Sequence, residues 1–213
     1  MIRNLKVLGL AIAAVMAMSA MMASAASAVP QFTASAYPAT VTGSNTKGNE
    51  VFTTEGGKVE CDSHFVSHSL EAASSTLTVT PTYSNCEAFG LNATVNTEGC
   101  TYVFHATEAV KINEVYNNHV DVVCPAGKSI KIVAGGGLCR AEIKSQNGLT
   151  TVQTTNSGGS VTVVPNVSSV KYTVTTDSFG CPFSGTGEKT DGKYTGHVVV
   201  SRVGGGTISV SGE

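Results

Sequence analysis

Apolar and polar residues alternate in short runs along most of the chain after residue 28. Between Thr76 and Tyr83, Leu77, Val79 and Tyr83 fall on one face and Thr76, Thr78, Thr80 and Thr82 on the other. That is the period-2 signature of a strand with one buried face. Arg140, Glu142 and Lys144 alternate with Cys139, Ala141 and Ile143 in the same way, as do Lys171, Thr173 and Thr175 with Val170, Tyr172 and Val174. Turn signals separate the runs: Asn117-Asn118, Asn147-Gly148, Gly158-Gly159, Asp191-Gly192 and the glycines at 135–137 and 204–206. Asn-Gly and Asp-Gly accept the positive φ that two-residue hairpin turns require. No stretch after residue 28 sustains an apolar stripe at helical spacing. The pattern predicts about a dozen short strands and at most one helical turn, hence an all-β protein built as an antiparallel β-sandwich or two small packed β-sheets.

Composition agrees with this. Charged residues make up 13% of the chain, roughly half the usual share, while Thr and Val, which are stiff at χ1 and pack well on a pleated surface, are abundant. Residues 29–213 read as a single β-sandwich-like domain; a subdivision near 126–138, at the glycine run, is the alternative.

The six cysteines, Cys61, Cys86, Cys100, Cys124, Cys139 and Cys181, are even in number and contain no Cys-x-x-Cys. In an exported protein this predicts three structural disulfides and disfavours a redox enzyme. Cys100 is in phase with Tyr102 and Phe104, Cys124 with Val120 and Val122, and Cys139 with Ala141 and Ile143, so each points toward the core. If the strand from Cys100 pairs antiparallel with the strand ending at Cys124, the two sulfurs lie opposite each other. A middle strand at Val110–Val115 would separate them. The sequential connectivity, Cys61 with Cys86, Cys100 with Cys124 and Cys139 with Cys181, is the preferred one.

Export is expected from the N-terminus. Arg3 and Lys6 precede an uncharged apolar run from Val7 to Met22, and Ala26, Ser27 and Ala28 supply a small-residue cleavage site. Together they read as a signal peptide over 1–28. No cysteine sits at the cut for a lipid anchor, so no stable membrane anchor is expected after cleavage. The formal charge of −2 becomes more negative once Arg3 and Lys6 are removed. With no basic cluster, nucleic acid and anionic membrane are poor partners.

Candidate chemistry is sparse. Cys61, Asp62, His64 and His68 lie close in sequence, but on a strand the two histidines would stand about 13 Å apart at roughly 3.3 Å per residue. That is too far to share one ion, so they read as surface residues. His105, His119 and His197 are scattered and phase outward or into turns, and no metal site is expected. No Gly-x-Ser-x-Gly elbow is present, no pair of carboxylates stands out, and the glycine runs lack the Lys-Ser/Thr of a phosphate loop. No catalytic or cofactor-binding residue is therefore nominated. The chain has no Trp, and Tyr102 and Tyr172 phase inward, leaving Tyr37, Tyr116 and Tyr194 near predicted turns as a weak sugar platform.

Phe32 to Gly43, Val59-Glu60-Cys61, Tyr83 to Cys86 and Gly99-Cys100-Thr101-Tyr102 give the chain a resemblance to a group of secreted, cysteine-bearing, β-rich proteins of soil actinobacteria. The resemblance implies a bacterial origin and supplies neither an activity nor site residues. The functional expectation is a secreted, non-enzymatic extracellular or envelope-associated protein with a binding or structural role, its partner a cell-envelope or extracellular protein or glycan. The alternative is a secreted hydrolase or carbohydrate-binding module whose site is built from loops.

Overall fold

The structure, a computed structural model, describes residues 29–107 and 115–211. The signal peptide expected over 1–28 lies outside the described residues, as does most of the strand considered at Val110–Val115. Fifteen strands are formed by the described residues: Gln31–Ala34 (β1), Val41–Asn45 (β2), Glu50–Thr54 (β3), Gly57–Ser67 (β4), Thr76–Ala88 (β5), Leu91–Asn96 (β6), Thr101–His105 (β7), Tyr116–Val123 (β8), Ile130–Ala134 (β9), Cys139–Ile143 (β10), Gln146–Ser157 (β11), Ser160–Asp177 (β12), Gly187–Gly196 (β13), Val198–Arg202 (β14) and Ile208–Ser211 (β15). Gly135–Gly137 forms one 3₁₀ turn.

Several short strands continue one another across a break and act as single columns. β2 with β3 flanks β4, β6 with β7 flanks β5, and β13 with β14 flanks one edge of β12. β10 with β11 flanks the other edge of β12, and β8 with β9 fills the gap between the β6/β7 and β10/β11 columns. Counted this way the chain makes eight columns, each antiparallel to the next in sequence order, and the last pairs with the first through Tyr194↔Phe52 and Val200↔Gly43 with its neighbours. The all-β antiparallel fold expected from the alternation is thus formed, with its packed sheets joined edge to edge into a closed ring. A ring of eight strands has an interior that side chains just fill or that holds one small ligand.

Burial follows the alternation. In β4, Val59, Cys61, Ser63, Phe65 and Ser67 are buried, while Lys58 and His64 are exposed and Glu60 and Asp62 half-buried. Across the molecule Val, Ile, Phe and Tyr from all the columns form one apolar core. The apolar faces point inward and the polar faces outward, the opposite of a barrel that crosses a membrane. No helix among the described residues is long and apolar enough to cross one.

Both ends of the ring are covered. At one end β1 and β15 pair as a separate ribbon. Phe32 and Ala39 bridge to Ser74 and Leu70 in the β4–β5 connection, and Ile208 donates its N–H to the Gly159 carbonyl at the β11–β12 turn. The Asn156 side chain holds the Val210 backbone by two hydrogen bonds, of 2.9 and 2.7 Å. At the other end the segment between β12 and β13 turns Phe183 inward against Phe89 and Tyr172, with ring centroids 4.8 and 6.0 Å apart.

The three disulfides are Cys61–Cys86, Cys100–Cys124 and Cys139–Cys181, with Cα separations of 4.1, 4.0 and 5.3 Å. All six cysteines are used. The first two join adjacent columns where the ladder is interrupted. Cys61 lies at the register shift between Glu60 and Asp62, Cys100 immediately before β7 and Cys124 immediately after β8. The third ties β10 to the Phe183 segment. The direct β7–β8 pairing, Thr101↔Val123 to His105↔His119, explains why Cys100 and Cys124 face each other.

Three expected turns are strand interiors instead. Asn117-Asn118 lies in β8, where the buried Asn118 donates to Thr154 Oγ1 at 2.8 Å. Asp191-Gly192 lies within β13, where Asp191 accepts the Tyr172 hydroxyl at 2.9 Å. Asn147-Gly148 is a bulge in β11, between the pairs Gln146↔Val122 and Leu149↔Val120. Each dipeptide serves a side-chain partner or a kink within a long strand, a use that local turn chemistry does not distinguish from a hairpin. Gly158-Gly159 and the glycines at 135–137 do turn the chain between paired strands.

Candidate functional site

The ring's interior contains a cavity of about 140 Å³. Its lining is almost wholly apolar, with Val79, Val122, Val152, Val163 and Val198 among the wall residues and Phe32 and Ile208 reaching it from the covering ribbon. The cause lies in side-chain size. The inward positions are dominated by Val, and the chain has no Trp, so the walls enclose more space than the side chains fill. At roughly 24 cal/mol per Å³, an unfilled volume of this size costs about 3 kcal/mol, a large share of a stability of about 5 to 15 kcal/mol. Apolar cavities of about 150 Å³ take up guests the size of benzene.

Most of the polar groups that meet this cavity lie on the wall contributed by β3, β4, β5, β7 and β13, with Thr154 of β11 across from them. Glu50, at the start of β3, is 5% exposed, and its carboxylate accepts the Ser63 hydroxyl at 2.6 Å. The Tyr83 and Tyr102 hydroxyls hydrogen-bond to each other at 2.7 Å. The Tyr194 hydroxyl is buried close to Glu50 and Tyr83 yet makes no well-aligned hydrogen bond. Gly196 makes the placement of Glu50 feasible, since a Cβ there would lie 2.6 Å from the Glu50 Cγ. Phe65 packs its ring against both Tyr83 and Tyr102, at 6.4 and 6.5 Å between centroids.

Burial raises the Glu50 pKa, opposed by the hydrogen bond from Ser63 and by neighbouring Tyr194 and Asn45. Burial also raises Tyr83 and Tyr194 well above the ordinary phenol value and Tyr102 to about 12, so all three hydroxyls stay neutral. Because the native carboxyl binds its proton more tightly than the unfolded one, ionisation penalises the folded state. Stability is expected to fall as pH rises from the ordinary value of 4.5 through the raised native value, and to level off above it. Glu50→Gln should remove that fall, read as urea midpoints measured across the range. A slope unchanged in the variant would rule out Glu50 as its source.

Of the other candidate residues, only Cys61 lines the cavity. All six cysteines are in bridges, with Cys61 also on the cavity wall. His64 and His68 are exposed on β4 and just beyond it, within hydrogen-bonding distance of the Thr42 and Thr80 hydroxyls at 3.1 and 3.3 Å. Asp62 accepts from the Lys47 N–H and from Asn85. Tyr116, expected near a rim, is buried at the start of β8. His105 and His119, expected to be scattered, stand side by side across the β7–β8 pair. Glu50 carried no signal as a site and Tyr194 only that of a weak sugar platform, because an acid or tyrosine in strand phase does not reveal that several columns converge on it.

No protein-family model, no curated protein and no solved structure matches the chain.

Proposed function

We propose that the protein is an exported, disulfide-stapled binding protein that encloses a small, mainly apolar molecule bearing one hydrogen-bonding head. The observation that carries this reading is the apolar cavity with most of its polar groups, Glu50 and Tyr194 among them, gathered on one side. The walls would take the apolar body of the guest, and Glu50, with the neighbouring Tyr194 hydroxyl, would take its head. Pockets that combine apolar walls with a few convergent polar groups are built for this division of labour. Export, a bacterial origin and the absence of a chemical step belong to the same proposal, supported by the bridges and the signal-like N-terminus. A glycan-binding role has weaker support, since Tyr102, Tyr116, Tyr172 and Tyr194 turn rings or hydroxyls inward instead of forming an exposed platform.

Calorimetry with toluene and p-cresol, the same ring without and with a hydroxyl head, tests the proposal. Both should bind one to one, with p-cresol about 5- to 10-fold tighter for the added hydrogen bond. Val163→Phe, which adds a ring into the cavity, should abolish both, and Val122→Phe from β8, on the far side of β11, serves as a second filling variant if the first fails to fold. No saturable binding, or affinity unchanged in a folded filling variant, would overturn it.

A further inference from the structure

We propose that His105, His119 and Asp121 form a site for a divalent transition-metal ion of the zinc class on the outer wall of the ring, independent of the cavity. His105 and His119 are directly opposed on β7 and β8, and Asp121 follows His119 by two residues on the same face of β8. The imidazole rings stack in near-parallel fashion, with centroids 4.3 Å apart and planes inclined by 11°. His105 Nε2 lies 3.0 Å from Asp121 Oδ2, and one donor atom from each of the three residues falls within 4.8 Å of the others. Bonds of about 2.0 to 2.1 Å at tetrahedral angles put donors about 3.4 Å apart. Small rotations of the two rings therefore suffice to place three ligands around one ion, with a fourth position left for water.

The surroundings support a ligand role for the carboxylate. Asp121 Oδ1 accepts the Gly148 N–H at 2.6 Å, which fixes the group and leaves Oδ2 directed at His105. That N–H is available because β11 bulges at Asn147-Gly148, where Gly148 adopts a φ of +69°. Orientation of a ligating carboxylate by a hydrogen bond from outside the ligand set is how metal sites hold their geometry. All three residues are half-buried, so an ion is partly desolvated yet reachable. Two imidazoles and one carboxylate suit Zn²⁺ and its neighbours better than Ca²⁺ or Mg²⁺, which prefer oxygen alone. Each imidazole must bind in its neutral form, His105 through a lone pair on the nitrogen that faces Asp121 and with its ring proton on the other nitrogen.

Zinc titration of the oxidised protein by calorimetry is the test, run beside Ca²⁺ as the hard-ion control. One Zn²⁺ per chain should bind, with imidazole NMR signals shifting only at His105 and His119. His105→Ala and His119→Ala should each weaken binding at least 100-fold, and Asp121→Asn at least 10-fold. His64→Ala and His68→Ala should leave it unchanged. Absence of one-to-one binding, Ca²⁺ binding as tight as Zn²⁺, or zinc-induced shifts at His64 and His68 in place of His105 and His119 would overturn the proposal. The NMR result on the unmodified protein decides the matter even if a substituted chain fails to fold. Toluene binding tests the cavity separately, so either site can fail while the other stands.

Discussion

Replacing Cys139 and Cys181 together by alanine is expected to lower the unfolding free energy by about 4 kcal/mol, on the chain-entropy account of a cross-link closing 42 residues. The same account gives about 3.5 kcal/mol for the bridges spanning 25 and 24 residues, so this pair should be the most costly to lose. A second cause acts in the same direction. The bridge holds the segment that carries Phe183 across the end of the ring, and Phe183 is 5% exposed between Phe89 and Tyr172. Released from Cys139, that segment keeps the Ser184 contacts to Glu55, which are exposed and worth little. Urea unfolding of the double variant against the parent under non-reducing conditions measures the loss. A change below about 1 kcal/mol would mean that Phe183 seats itself without the tether.

Tyr172→Ala is expected to cost about 3 to 5 kcal/mol, the range for emptying a buried aromatic site. Tyr172 is 1% exposed, stands edge-on to Phe52 with ring centroids 5.8 Å apart and packs on Phe183. Its hydroxyl donates to Asp191, which is exposed and can turn to water when the partner is removed. Tyr172→Phe should therefore cost only about 1 kcal/mol. The difference between the two variants in the same urea series separates packing from the hydrogen bond. Near-equal losses would place the importance of Tyr172 in its hydroxyl. Because Tyr172 and the Cys139–Cys181 bridge both hold Phe183, combining their variants should give less than the sum of the two losses.

How far the molecule could be read from its residues depends on the range of the interaction involved. Alternation is local, so β5, β10 and the second half of β12 were legible with their inward faces. The phase of Cys100 and Cys124 was enough to pair them once β7 and β8 were taken as neighbours. That same pairing carried an unused signal: counting five residues inward from each cysteine sets His105 opposite His119. Closure of the ring was not legible, because it depends on β13 and β14 reaching β3 and β2 across more than a hundred residues. Nor was the cavity, since no run of valines reveals how much space the opposite wall leaves. The misread dipeptides share one cause. A bulge such as that at Gly148 and a hairpin turn ask the same backbone freedom of the chain, and only the neighbouring strand tells them apart.

Joining the last column to the first has a consequence for how the protein meets other chains. An open sheet ends in a row of free N–H and C=O groups onto which a foreign strand can add, the starting point of fibril growth. Here that ladder comes full circle, and the remaining outer edges among the described residues belong to the four-residue partners of the β1–β15 ribbon. A thread-like aggregate would first have to peel the molecule apart, so resistance to fibrillation should track the integrity of its cross-links and not its surface charge.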